Sequence, residues 1–341
     1  MDNLYLGLFI IAIGSFCQSS CYVPINKIKQ WSWESYWLIQ GIFAWLIFPI
    51  LAMLLTIPEG KTFGNLLAMI VAEPKAALMT MFFGVLWGVG GLTFGLSMRY
   101  LGVALGQSIA LGTCAGLGTV LTPLFMGEPE KLTSAVIIGV AVTLVGIAII
   151  GIAGQMKTAT LSEEERKVAV KDFNFPKGIA VALLAGFMSA CFAIGLGYGN
   201  GLHIDTFCTD NRFVDLPATF LVTLGGFATN AIYCLFQNGK NKTFSDYKQG
   251  NLWVNNAIFC AIAGLLWYCQ FFGKSIGGGY ILDEDMKSFS WCLLMALNVV
   301  FSNVWGIILK EWKGCNAKTI GVLIVGLIVL VVASFIPVIL K

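Results

Sequence analysis

The chain has 341 residues, 57% of them hydrophobic and 11% charged, with a formal net charge of +3 and a mean hydropathy of +0.82. So little charge excludes a soluble globular domain of this length. It leaves an all-α membrane protein, and nearly the whole chain is needed for crossings of about 20 residues each.

Ten apolar segments are predicted to span the bilayer, over 3–24, 36–57, 76–98, 102–125, 132–153, 177–199, 213–237, 251–273, 288–310 and 317–340. The first begins almost at Met1, with no basic flank before it and no small-residue cleavage site after it, so it reads as a retained helix. Trp31, Trp33 and Trp37 at the start of the second, like Trp253 and Trp312 elsewhere, suit interface anchors, and Glu34 beside them is an acid favoured in a first helical turn. Arg99, between Met98 and Tyr100, ends the third, where it anchors to headgroups or pairs an acid such as Glu34. Glu128 follows the fourth, within reach of Lys131. The stretch 155–175, with Glu163, Glu164 and Glu165 followed by Arg166 and Lys167, reads as a solvated linker. His203, the only histidine, lies with Asp210 and Asp215 before the seventh span. Asp283, Glu284 and Asp285 precede the ninth, and Glu311, beside Lys310 and Lys313, follows it. Nine of the ten cysteines (Cys17, Cys21, Cys114, Cys191, Cys234, Cys260, Cys269, Cys292, Cys315) lie in or beside spans without CxxC spacing. They read as small apolar residues, and no disulfide framework, metal site or cofactor is expected.

The linker separates two sets of five spans, 1–154 and 176–341. Five is odd, so similar halves insert with opposite orientation. Gly84-Val85-Leu86-Trp87 echoes Gly264-Leu265-Leu266-Trp267 at the same place in the span order. The expectation is a 5+5 inverted-topology repeat of ten transmembrane helices, a frequent basis for alternating access. Loops after odd-numbered spans hold fourteen of the 21 Lys and Arg. Basic residues favour the cytoplasm, which puts both termini outside and 155–175 inside. Gly84/Gly88, Gly91/Gly95, Gly102/Gly106, Gly112/Gly116 and Gly195/Gly199 have the spacing that lets helices approach closely in lipid.

The span centres hold no carboxylate but do hold amides: Gln18, Gln40, Gln107, Asn230, Gln270, Asn298 and Asn303. They also hold Trp87, Trp267, Tyr268, Trp291 and Trp305. One amide alone is as readily glue between helices. As a set beside aromatic rings they suit a neutral polyol: amides both donate to and accept from hydroxyls, and ring faces cover C–H faces. With no buried Lys or Arg, a strongly charged substrate is not expected. A membrane enzyme is disfavoured by the single histidine and the solvated look of both acidic runs. No nucleotide-binding or nucleic-acid motif is present.

Several stretches carry a resemblance. They include Tyr22-Val23-Pro24, Trp31-Ser32-Trp33-Glu34, Phe94 to Gly102, Leu121-Thr122-Pro123, Ala153-Gly154-Gln155, Gly264 to Phe272, and Leu309-Lys310-Glu311-Trp312. In order and over nearly the whole chain, they resemble the L-rhamnose–proton symporter family of the drug/metabolite transporter superfamily. The resemblance implies a bacterial inner-membrane importer, a monomer or loose homo-oligomer, taking up L-rhamnose or a related sugar with a proton. Gly91 and Gln107, and the 200–212 and 274–287 loops, depart from the family's pattern. The residues expected at the sugar are Gln18, Trp87, Gln107, Trp267, Tyr268, Gln270 and Asn298. With no acid at a span centre, the titrating group is expected at a helix end: Glu34 first, then Asp210, Asp215 and Glu311, with Arg99 as a partner. Alternatives are sodium coupling, a different sugar, or a metabolite or drug exporter of the same superfamily.

Overall fold

The computed structural model describes residues 3–101, 103–160, 174–208, 210–310 and 312–340. Regular structure among them is helical: α1 (Leu4–Ser20), α2 (Tyr22–Ile25), α3 (Trp33–Gly41), a π-helical turn (Ile42–Ile47), α4 (Phe48–Leu55), α5 (Phe63–Ala72), α6 (Pro74–Leu101), α7 (Val103–Met126), α8 (Ser134–Ala159), α9 (Phe175–Gly199), α10 (Ile204–Phe207), α11 (Leu216–Asn241), α12 (Gly250–Gly279), α13 (Glu284–Ile308), α14 (Ala317–Ala333) and α15 (Ile336–Ile339). Nine stretches among the described residues are long and apolar enough to cross a membrane. They coincide with the first nine predicted spans, and the molecule is a multi-pass, all-helical membrane protein.

The tenth predicted span is shorter than expected. α14 has 17 residues and ends at Ser334, whose hydroxyl bonds back to the Leu330 carbonyl at 2.9 Å. Pro337 then sits in the first turn of α15, where its missing N–H and fixed φ suit a new helix start and not the continuation of an old one. Conversely, α5 lies where only a loop was expected. Thr62 and Asn65 cap each other reciprocally at its start, and Leu66 and Ile70, one turn apart, are buried against Ala52, Met53 and Tyr268. Ten residues of helix are too few to span the hydrocarbon core. The linker's Glu163, Glu164, Glu165, Arg166 and Lys167, and Glu311, lie outside the described residues.

The chain forms two compact units. The first comprises Met1–Gly88 with Gly195–Leu282, the second Val89–Ile194 with Asp283–Lys341. In the first, α1 runs against α12 with glycines on both sides: a Cβ on Gly7 would stand 2.6 Å from the Gly277 carbonyl oxygen, and one on Gly277 2.5 Å from that of Gly7. Lipid offers no hydrophobic drive for helices to associate, so contacts this close supply the packing energy. Gly84 meets the α11 backbone at Val222, and Gly264 meets the π-turn Ile42–Ile47 at Ala44 N, 2.9 Å from where its Cβ would be. Gly91 and Gly95 correct an expectation. A Cβ at either would meet no described atom within 4 Å, so their spacing marks no close approach among the described residues.

In the second unit, α14 packs on α8, where Gly146 and Gly326 give way to Leu330 and Ile150. Trp291 is buried, stacks on Phe192 at 5.8 Å and donates to the Cys114 carbonyl at 3.1 Å. The acidic run before α13 is built in and not merely solvated: Asp283 caps α13 through Met286 N, and Asp285 accepts from Thr133, the α8 cap, at 2.9 Å. Lys131 pairs Glu128 at 2.6 Å, as its spacing suggested. The ten cysteines are free.

Candidate functional site

The densest polar–aromatic cluster sits midway along the first unit. Trp45 lies on the π-turn of the second span, Trp87 on α6 and Trp267 on α12. Their ring centroids are 5.7 Å (Trp45–Trp87), 6.0 Å (Trp45–Trp267) and 5.7 Å (Trp87–Trp267) apart, the first two pairs edge-to-face. Trp37 meets Trp45 edge-on at 5.7 Å, and Trp33 stacks on Trp37 at 5.5 Å. Such pairs contribute about 0.5–1.5 kcal/mol each beyond the area they bury. Two glycines make the slots. A Cβ on Gly41 would stand 2.6 Å from the Trp45 ring, and one on Gly226 would collide with the Trp87 ring.

Neutral polar groups border these rings. Trp37 Nε1 donates to Asn230 Oδ1 at 3.0 Å, and Asn230 Nδ2 donates to the Gly226 carbonyl at 2.9 Å. Gln40, 3% exposed, and Trp45, 5% exposed, each hold a buried polar atom, Oε1 and Nε1, that finds no hydrogen-bond partner among the described residues. Leaving such an atom unsatisfied costs about 1–3 kcal/mol.

A second cluster occupies the end of this unit where α3 begins and α11 ends. Glu34 is buried at the start of α3. Its Oε1 accepts from Asn241 Nδ2 at 2.9 Å and Thr243 Oγ1 at 2.8 Å, both neutral donors. Next to it, Asn238 Nδ2 donates to Ser35 Oγ and Thr243 Oγ1, and Tyr247 donates to Asn238 Oδ1. Asp246, also buried, accepts from Ser32 N and Oγ at 2.9 and 2.8 Å, and its carbonyl accepts from Trp31 Nε1 at 2.9 Å. Burial pushes the Tyr247 hydroxyl up from its ordinary range. Trp31 is therefore a buried hydrogen-bonding residue and not the lipid anchor its position suggested. Trp37 likewise belongs to the central cluster, while Trp33 and Trp253 are exposed, as an interface role requires.

The opposite end of the unit is held by charge. Arg212 chelates Asp210 with two nitrogens, at 2.9 and 2.5 Å, and donates to Tyr280 Oη at 3.1 Å. The guanidinium holds the Asp210 carboxyl below the usual carboxylate range, and the carboxylate with Tyr280 raises Arg212. Lys274 pairs Asp215 at 3.2 Å. His203, exposed, occupies a left-handed backbone position at the neighbouring turn.

The expected site residues therefore divide. Trp87 and Trp267 come together. Gln270 is buried on the same helix, its Nε2 donating to the Trp267 carbonyl at 3.1 Å. Tyr268, two residues away, turns instead into the apolar cluster of Met53, Leu66 and Phe207, where its hydroxyl finds no partner among the described residues. Gln18 lies one turn beyond Gly14 on α1, and a Cβ on Gly14 would be 3.2 Å from Gln270 Cα. Gln107 and Asn298 belong to the second unit. Arg99 ends α6, with its side chain outside the description, and Glu311 lies outside the described residues. Sequence reasoning missed Trp45, and it placed Gln40 in the set of span-centre amides but not among the residues expected at the sugar. The available signal was Gly41, a glycine one helical turn before a tryptophan. Asp246 carried no signal, since its burial follows from a loop folding back on Ser32.

The L-rhamnose-proton symport protein family model matches residues 1–340. L-rhamnose-proton symporters of Yersinia pestis (strain Pestoides F) and Yersinia pseudotuberculosis serotype O:1b (strain IP 31758) are 31% identical over 347 residues, covering 98% of this chain and 97% of theirs. The symporter of Yersinia pestis bv. Antiqua (strain Antiqua) matches to the same extent. A match running end to end through both chains, over a fold of apolar helices, makes this chain a member of the L-rhamnose-proton symport protein family, a family of transporters and not of enzymes.

Proposed function

We propose that this protein imports L-rhamnose together with a proton across a bacterial inner membrane by alternating access. The observation that carries the reading is the relatives' match over 98% of the chain. The geometry suits it: a cluster of tryptophans around the buried Trp45, bordered by neutral amides, covers the apolar faces of a sugar and pairs its hydroxyls.

The inverted repeat of 1–154 and 176–341 has support in the packing. Burial runs in the same phase along the two echoing segments: residues 83, 84, 88 and 90 are buried, as are 263, 264, 268 and 270. Gly84 on the third span meets the seventh, and Gly264 on the eighth meets the second. Exchanging each span for its counterpart in the other half turns one contact into the other. Two halves of this kind interconvert by swapping shapes around a central site.

The sugar meets Trp87, Trp267 and Gln270 of the first unit, with Gln18 nearby. Glu34 carries the proton. Its neutral donors leave the carboxyl free to gain and lose a charge without stranding a basic partner, whereas Asp210 is committed to Arg212. The termini lie outside and 155–175 inside.

The test is L-rhamnose uptake into proteoliposomes with and without an inward proton gradient. Accumulation that requires the gradient supports proton symport. Equilibration alone, or accumulation that requires sodium, overturns the coupling. Efflux without uptake favours an exporter, and no transport overturns the substrate.

A further inference from the structure

Two buried atoms in the second span, both without a partner among the described residues, are complementary in kind. Gln40 Oε1 only accepts, and Trp45 Nε1 only donates. They are separated by five residues across the π-turn Ile42–Ile47. An i to i+5 hydrogen-bond pattern brings residues five apart to one face, and such turns recur at functional sites because they store a misfit in an otherwise α-helical span. That face is the one Trp45 turns toward Trp37, Trp87 and Trp267. A molecule able both to donate and to accept, flanked by C–H surface, satisfies both atoms and the rings together. That description fits a hydroxylated ring and excludes an ion or a hydrocarbon.

We propose that Gln40 and Trp45 form a hydroxyl-reading subsite for the transported sugar, with Gln40 Oε1 accepting from one substrate hydroxyl and Trp45 Nε1 donating to another. The assignment rests on the reading of the protein as a sugar carrier, and it adds specificity-determining residues to the tryptophan cluster. The rings touch one another in this conformation, so the sugar enters by displacing Trp45. The π-turn persists while the ring swings aside, keeping Gln40 and Trp45 on one face.

The experiment uses the full chain in nanodiscs. Equilibrium binding of L-rhamnose and of its singly deoxygenated analogues is measured for the wild type, Trp45→Phe and Gln40→Met, with thermal unfolding of each protein without sugar. Trp45→Phe removes the indole N–H together with part of the ring, and Gln40→Met replaces the amide by a thioether of similar length. The expected result is L-rhamnose binding weakened about tenfold or more in each variant, as loss of one hydrogen bond to a buried partner predicts. Each variant also loses discrimination against one analogue that the wild type binds poorly. The sugar-free melting temperature of Gln40→Met stays level or rises, because an unsatisfied buried acceptor has been removed, while that of Trp45→Phe falls with its lost ring contacts, so for Trp45 the selectivity decides. Wild-type affinity and selectivity in both variants overturn the subsite. So does weaker binding that comes with a lower sugar-free melting temperature and unchanged selectivity, the signature of a packing role. A wild type that binds no L-rhamnose overturns the functional reading itself.

Discussion

At the scale of single residues, the two acids named first for coupling occupy opposite environments. Glu34 is buried among amide and hydroxyl donors; Asp210 is chelated by Arg212 near the surface. Glu34→Gln retains an oxygen to accept from Asn241 and Thr243, so the protein folds, while the titrating proton is lost. The variant is expected to exchange labelled for unlabelled sugar across proteoliposomes but not to concentrate it. Accumulation at the wild-type level would remove Glu34 as proton carrier. For Asp210 the prediction concerns stability. Its folded pKa lies below the ordinary 3.8, so its contribution is present above that value and is lost as pH falls through the lower, folded one. Asp210→Asn should therefore lower the melting temperature at neutral pH, and the wild-type and variant curves should converge on acidification below 3.8. A constant gap down to strongly acidic pH would mean that the ion pair is not the source. Both acids were visible in the sequence. Which one had a basic partner was not, because Glu34's partners lie more than 200 positions away in the chain.

At the scale of helices, glycine decides how near two of them come. Spacing alone marked Gly84/Gly88 and Gly91/Gly95 as equivalent, yet among the described residues only the first pair faces a neighbour. Gly84→Ala and Gly264→Ala force a methyl into the backbone of a packed helix. Each should cost about 1–3 kcal/mol, the usual penalty of overpacking, and lower the melting temperature. Gly91→Ala should leave it unchanged. Equal effects at all three would show that the close approaches do not govern packing. Element ends follow the same logic: Pro337 and Ser334 end α14 early, and Thr62 with Asn65 starts α5, although its ten residues lie in a stretch too short to register as a span.

At the scale of the whole molecule, the sequence halves and the compact units divide the chain differently. The boundaries at 88/89 and 194/195 fall inside α6 and α9, so each unit draws helices from both halves. Orientation is a separate matter, set by loop charge during insertion. Reporter fusions at the N-terminus, at the C-terminus and within the linker test it. Both termini should report outside and the linker inside, and the reverse pattern would overturn the charge assignment.

Composition and apolar run length by themselves determined the class and nine of the spans. Each depends only on the free energy of local segments in lipid, which is additive along the chain. The partners of buried polar atoms, the face of each helix that meets another, and the π-turn that turns Trp45 toward Trp87 and Trp267 were decided only by the tertiary structure. Those depend on residues hundreds of positions apart competing for the same few ångströms of space.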